Sequence, residues 1–385
     1  MHEQLTPSPE QQTHELFAEL QRPKPTVIAL EGGPCGGKTT ILEHLQTEAR
    51  LQERPLVLLP EAATEHIAKL QAAGLTIPEL ATNQRDGYVA FEKDVLATII
   101  TNLEQAKQAF RGTDAIIVTD RSDIGAYVTP EEYAEVLGEL GRTRPPYLDL
   151  VDKVVYLPSL AREDAAKYTE IACGNPSRFE DAAGAAATCQ RTLDTIALHP
   201  ELSVHWGGEF MTKVRAVTQE ILQPEREIEA KYTARPELSY TEVEAVLRWM
   251  GARELNATAI SQSYHQLAGQ EFRLRHGITE ANDQFYHFAI KTGSGDSKQE
   301  LRRSLSRQQF DLLRQAPNFG ELHKVRRRYL IDLDGDGRQS IVSADFYADR
   351  QLCVLEFEGM TDELAARYQV PGFDRGGVSA RNLVQ

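Results

Sequence analysis

Residues 26–40 read TVIALEGGPCGGKTT. An apolar, β-rich run enters a cluster of glycines and leaves into ILEHLQTEA at 41–49, whose periodicity predicts a helix. Gly32, Gly37, Lys38 and Thr39 satisfy G-x-x-x-x-G-K-T in the strand–loop–helix context that a phosphate-binding loop requires. Gly32, Gly33, Gly36 and Gly37 leave the backbone free to wrap phosphates, and N–H groups at a helix start attract their charge. Lys38 is expected to reach the β- and γ-phosphates and Thr39 to ligate the metal, with Thr40 completing the nucleotide-binding set. The expected ligand is ATP or GTP with Mg²⁺ or Mn²⁺.

Outward from this loop, apolar strands are expected at 55–60, 115–119, 153–158 and 202–206, with a long helix from about 86 to 110 between two of them. Strands alternating with helices predict an α/β parallel sheet covered on both faces, with ligands just past the C-terminal strand ends. Asp120, in VTDRS, follows the third strand and is the candidate Mg²⁺ carboxylate. Glu61, in LLPEAAT, follows the second and could position an acceptor or serve as a base. Arg121 beside Asp120 resembles the D/E-R-S element of nucleoside and nucleotide kinases and is a candidate phosphate contact of the bound nucleotide, and an Ala-rich, charged stretch from 161 to 188 containing GNPSRFE reads as a lid. Arg162, Arg178 and Arg191 are its candidate phosphate clamps. These pieces resemble the AAA_28/NadR-like P-loop family, near the nucleoside-kinase-like enzymes, over about 200 residues. That resemblance implies nucleotide binding and, in some members, phosphorylation of a small acceptor.

The character of the chain changes at Gln223-Pro224. Eight strand-like segments follow, at 226–232, 258–264, 271–276, 285–292, 297–305, 322–331, 340–348 and 351–359, with helical inserts at 238–250 and 306–316. Eight antiparallel strands can close into a barrel. Alternation puts Glu227, Glu229 and Lys231 on one face, as it does Arg273 with Arg275, Lys324 with Arg326 and Arg328, and Glu356 with Glu358. Lys291, Glu300 and Asp345 join them if register holds. A dry core this charged would be untenable, because each unpaired buried charge costs several kcal/mol. A wet face holding a polyanion and divalent cations would not.

The segments resemble the CYTH, or triphosphate tunnel, superfamily: E-x-E-x-K at 227–231, SQSYH, FRLR, FAIK, RRRY, Asp345, the Glu356/Glu358 pair and VSARNL. The resemblance implies metal held by Glu227, Glu229, Glu300, Asp345, Glu356 and Glu358. It implies triphosphate held by Lys231, Arg273, Arg275, Lys291, Lys324, Arg326 and Arg328. Members hydrolyse tripolyphosphate or nucleoside triphosphates; the alternative is a domain that binds polyphosphate or a phosphoinositide headgroup without turnover. Arg302 stands where the family often has a further carboxylate, and Ala289 where a Thr is common. DLDGDG at 332–337 imitates an EF-hand start, but Ser343 occupies the twelfth position and the segment lies between strands, so a hairpin turn is expected there, with a weak Ca²⁺ site as the alternative.

The expected organisation is a polar segment at 1–24 with one short helix, a P-loop NTPase/kinase-like domain at 25–223 and a CYTH-like tunnel domain at 225–385. The 385 residues are 41% apolar and 26% charged, enough for two sizeable cores. A net charge of −15 argues against a general nucleic-acid binder. Four dispersed cysteines, no apolar run of membrane-spanning length and no signal-peptide pattern predict a cytoplasmic protein.

Overall fold

The computed structural model describes residues 8–49, 54–172, 180–206, 209–226, 229–292, 299–332, 339–358, 368–376 and 383. The chain forms two compact units. One is Pro23–Pro224; the other joins Met1–Arg22 to Glu225–Gln385.

The opening helix, α1 (Pro9–Leu20), begins at a capping box in which Ser8 and Gln11 exchange side-chain and backbone hydrogen bonds, with Pro9 at its first position. The expected short helix is therefore present, but it is not a loose polar lead. Leu16, Phe17 and Leu20 are buried with Phe272, Leu274 and Phe288 of the second unit. The Phe17 ring lies 5.2 Å from that of Phe272 and edge-on to Phe288 at 5.9 Å.

The first unit runs β1 (Thr26–Gly32), α2 (Lys38–Ala49), β2 (Leu56–Leu58), α3 (Ala62–Ala72), α4 (Ile77–Asn83), α5 (Arg85–Ala109) and β3 (Ile116–Asp120). It continues through α6 (Pro130–Glu139), α7 (Pro146–Leu150), β4 (Lys153–Leu157), α8 (Leu160–Glu163), α9 (Ala165–Ala172), α10 (Ala182–Ile196), β5 (Leu202–Val204) and α11 (Phe210–Leu222). The sheet is parallel throughout, in the order β2-β3-β1-β4-β5. Ile28 and Leu30 of β1 pack with Ile41 and Leu45 of α2 and with Val214, Val217 and Ile221 of α11. The opposite face is covered in part by α10, where Tyr156 Oη donates to the Cys189 carbonyl. Strand β1 sits in the middle, and the chain leaves it toward opposite edges of the sheet. The crevice at its C-terminal end is the topological switch point where such sheets bind ligands.

The second unit continues with β6 (Glu229–Ala234), α12 (Tyr240–Trp249), β7 (Arg253–Leu267), β8 (Gln270–Thr279), β9 (Gln284–Thr292), β10 (Gln299–Leu305), α13 (Arg307–Leu313), β11 (Asn318–Asp332), β12 (Gln339–Tyr347), β13 (Leu352–Glu358) and β14 (Phe373–Arg375). Among the described residues these strands form one antiparallel sheet, ordered β10-β9-β8-β7-β11-β12-β13-β6-β14. Segments upstream of β6 reach the far end of that order. Arg226 bridges Gln299, and the Glu300 N–H donates to the Glu225 carbonyl at 2.9 Å.

The apolar face of this sheet is covered by helices. Val243 and Leu247 of α12 pack on Tyr232, Ile331, Val342 and Phe357, while α1 and α13 cover Phe272, Leu274 and Phe288. The charged positions occupy the other face, and several are buried there: Lys324 and Arg328 are each 6% exposed and Asp345 is 0% exposed. Solvation of that face on an open sandwich is therefore excluded for these residues. Among the described residues no helix is long and apolar enough to cross a membrane.

Candidate functional site

Between β1 and α2 the loop curls back on itself. Gly32 has φ +143°, and a Cβ there would stand 2.0 Å from the Leu157 carbonyl oxygen, so the loop lies against the end of β4 and only glycine fits. Gly37, at φ +96°, makes the turn into the helix. Lys38 Nζ folds over the loop and donates to the Gly32 carbonyl at 2.8 Å and to that of Gly33 at 3.5 Å. Gly33 and Gly36 lie within the loop, Thr39 is exposed at the helix start and Thr40 is half-buried.

Asp120 ends β3, the strand beside β1. Burial lifts its carboxyl above the ordinary range, Glu61 adds to the lift, and Lys38 opposes it. Those three groups therefore share one electrostatic neighbourhood at the strand ends, as expected of a nucleotide site. Glu61 is the N-cap residue of α3 and is exposed, accepting from Thr64 Oγ1 at 3.0 Å.

The arginines behave differently. Arg121, at φ +77°, turns inward: it pairs with Glu92 at 2.6 Å, donates to the Asp123 carbonyl at 2.9 Å and lies 4.0 Å over the Tyr127 ring. Arg162 donates to Gln190 and lies 5.0 Å over Trp206, while Arg191 donates to the Ala126 carbonyl and Thr188. Arg178, within GNPSRFE, lies outside the described residues.

Glu31 and Asp123 are buried acids that escape notice in the sequence. Glu31 is 4% exposed and accepts from both the backbone and hydroxyl of Ser122. Burial lifts its carboxyl from 4.5 to about 7, against the pull of Ser122. Asp123 is likewise lifted to about 6 by burial, against Tyr133 and backbone donors. An acid closing an apolar strand was the available signal for Glu31. A raised folded-state value means that the unfolded chain ionises first, so stability declines as pH climbs from 4.5 to 7. Glu31→Gln should remove its share of that decline. Denaturant titrations should then place the variant's relative stability higher at pH 8 than at pH 5. An equal difference at both pH values would assign Glu31 no titrating role.

In the second unit, register gathers the charged positions. Arg326 is opposite Asp345, Glu356 opposite Lys231, Lys291 opposite Glu300, and Tyr264 and Gln262 opposite Arg273 and Arg275. Arg326 holds Asp345 in a two-pronged pair at 2.6 and 2.7 Å and also reaches Glu356. Lys324 pairs with Asp345, and Lys231 with Glu356 at 2.7 Å. Glu300 takes Arg273, Arg302 at 3.2 Å and Lys291 at 3.3 Å. Burial pushes the carboxyls of Asp345 and Glu356 up, but Arg326, Lys324 and, for Glu356, Lys231 hold both below the ordinary range.

For the three of these acids whose side chains are described, Glu300, Asp345 and Glu356, lysine and arginine supply the neutralising charge. Among the described residues no three His, Cys, Asp or Glu side chains gather as a metal group. Glu227 lies outside the described residues, as do 333–337 of the DLDGDG turn and 378–382 of the VSARNL segment; Glu229 and Glu358 are described by backbone alone.

Among the described residues, six cations (Lys231, Arg273, Lys291, Arg302, Lys324 and Arg326) share three acids (Glu300, Asp345 and Glu356). Burial, then Arg273 and Arg326, push Arg275 down to about 10. Burial pushes the Lys324 ammonium down to about 7 against the pull of Asp345. His287, opposite Arg275 and not foreseen, is driven to about 4 by burial and by Arg275 and Arg273. Arg275 stays charged at neutral pH, so these neighbouring cations repel one another.

Residues 27–133 match the AAA_28 family, an AAA domain. The N-terminal unit is similar to AAA domains. That similarity spans the phosphate loop, Glu61 and the Asp120-Arg121 pair, under a third of the chain. A search of curated proteins finds no match. Among solved structures, the chain is similar to the hypothetical protein NE1496, at 20% identity over 39% of this chain and 87% of that one, with a TM-score of 0.24. It is also similar to PH1012 protein from Pyrococcus horikoshii OT3, at 12% identity over 38% and 94% and a TM-score of 0.28. A conserved hypothetical protein from Pyrococcus furiosus, Pfu-838710-001, is similar at 9% identity over 38% and 94%, with a TM-score of 0.27. Likeness at these scores has no bearing on function.

Proposed function

We propose that this protein binds ATP or GTP with Mg²⁺ at the AAA-type phosphate loop and a second polyphosphate against the charged face of its sheet unit. The observation that carries the first half is the loop closed over Leu157, with Lys38, Asp120 and Glu61 electrostatically coupled at the strand ends. Lys38 would move from the Gly32 carbonyl to the phosphates, and Thr39 and Asp120 would hold the metal, which neutralises charge on the bridging oxygens. Glu61, exposed at the start of α3, would position a small acceptor for phosphoryl transfer.

The second half rests on the excess of buried cations around Arg275. It accords with the resemblance to the CYTH superfamily and with a closed tunnel, for which the Arg226–Gln299 bridge is the supporting contact. The domain order resembles that of TRPL translocation defect protein 14. Tripolyphosphate, polyphosphate or a phosphoinositide headgroup would each satisfy guanidinium forks by paired hydrogen bonds. Binding without turnover is the reading favoured by the neutralised Asp345, Glu356 and Glu300. One observation favours metal-dependent hydrolysis instead: Glu229 and Glu358 are direct register partners. Like charges at directly opposed positions disfavour each other, and Mg²⁺ or Mn²⁺ would offset that.

The test is a phosphate-release and binding screen of the full chain against ATP, GTP and tripolyphosphate with either metal. Run on a Lys38→Ala background, tripolyphosphate binding should persist and should weaken about 10-fold on Arg275→Ala, the loss of one charge-assisted contact. Tripolyphosphate binding unaffected by Arg275→Ala would sink the anion-grip reading. Bound tripolyphosphate with no phosphate released in either metal would leave binding and remove hydrolysis.

A further inference from the structure

We propose that Phe210 is the platform on which the base of the P-loop nucleotide stacks, so that the start of α11 distinguishes a nucleoside triphosphate from a bare phosphate chain. This rests on the phosphate-loop reading above and adds a site for the part of the ligand that the loop does not touch.

Phe210 is the first residue of α11, which leaves the exit of β5 at the same C-terminal edge as the loop. Its side chain is 46% exposed, unusual for a phenylalanine within a folded unit. It also lies against the phosphate loop. A Cβ added to Gly37 would stand 3.0 Å from Phe210 Cε2 and 3.4 Å from Cζ, so the ring meets the phosphate loop through its edge. An edge contact leaves the ring faces available, and base stacking uses a face.

The backbone beneath the ring is fixed. The Glu209 carboxylate caps the helix, accepting from the N–H groups of Met211 at 3.0 Å and Thr212 at 2.6 Å, and from the Thr212 hydroxyl at 2.6 Å. A backbone held this way loses little freedom when a ligand arrives. Gly37 immediately precedes Lys38, so a triphosphate seated at the helix start would carry its sugar and base outward past the neighbouring residue. The exposed ring beside Gly37 is the aromatic surface in that position, and a nucleobase is the ligand group that matches it in shape and chemistry.

A purely structural role, sealing Gly37 with apolar bulk, makes a different prediction. Leucine would preserve the seal and lose the π-face. Titrating the full-length protein with Mg·ATP and Mg·GTP, Phe210→Leu should weaken binding about 10-fold, whereas Phe210→Tyr should stay within about 3-fold of the parent. Phe210→Trp should show fluorescence quenched by Mg·ATP and unchanged by Mg·tripolyphosphate. Should Phe210→Leu bind ATP like the parent while Lys38→Ala does not, the stacking site is overturned and the phosphate loop stands. Should Lys38→Ala also bind like the parent, both fall together.

Discussion

Lys38→Ala is expected to remove nucleotide binding from the P-loop unit while leaving its melting transition in place. The Lys38 ammonium rests on the Gly32 and Gly33 carbonyls, contacts that alanine simply gives up to water. The loss on the ligand side is larger. A triphosphate would surrender a charge-assisted contact in a partly dehydrated site, where removing one partner costs about 2–5 kcal/mol. A second loss compounds it, because Lys38 opposes the lift that burial gives Asp120. Without that cation the Asp120 carboxyl rises further, which favours its protonated form over the carboxylate that would hold a metal. Together these should cost at least ~100-fold in Mg·ATP affinity by calorimetry. Parent-like affinity in a folded variant would mean that the loop is not the nucleotide site.

The other large effect is on stability. Deleting residues 1–22 should unfold the sheet unit, although the sequence there is polar and precedes the P-loop unit. Leu16, Phe17 and Leu20 fill a cluster with Phe272, Leu274, Phe288 and Phe310. Burying each is worth about 1.5–3 kcal/mol, so their sum approaches the roughly 5–15 kcal/mol by which a whole domain is stable. A milder variant keeps the idea testable if the deletion aggregates. Phe17→Ala should cost about 3–5 kcal/mol, since the ring is wedged between Phe272 and Phe288. Hydrogen exchange should show β8 and β9 losing protection in that variant, with β1 and β3 unaffected. Parent-like protection throughout would reduce α1 to a decoration. A corollary is that a fragment starting at 225 tests a damaged unit, which is why the full chain is the right object for the tripolyphosphate experiments.

What could be read in the sequence divides by distance along the chain. The phosphate loop is local: Gly32, Gly37, Lys38 and Thr39 lie within eight positions, and glycine chemistry dictates the turn. The charged sheet face is nearly as local, because a period of two places Arg273 with Arg275, and Lys324 with Arg326, without knowledge of any partner strand. The pairing of Asp345 with Arg326 was not legible, since it depends on the register between β11 and β12. Reading Asp345 as a metal carboxylate followed from its face and could not include the guanidinium opposite. Arg121 is similar. Its neighbour Asp120 suggested a phosphate contact, but Glu92 and Tyr127 turn it inward from elsewhere in the chain. The docking of α1 was the least legible of all, because its partners are about 250 residues away.

That separation has a consequence for how the protein is made. At roughly 5–20 residues per second, a ribosome would need about 13–50 s to go from Leu20 to Phe272. Throughout that interval α1 has left the ribosome with its docking surface unsynthesised. A helix of 12 residues is marginal on its own, so its Leu16-Phe17 face waits in water while Pro23–Pro224 completes a sheet that does not need it. A segment made before the P-loop unit is thus among the last to find its place. Any holdase active on the nascent chain should find its binding stretch in α1, and release should coincide with the appearance of β8 and β9.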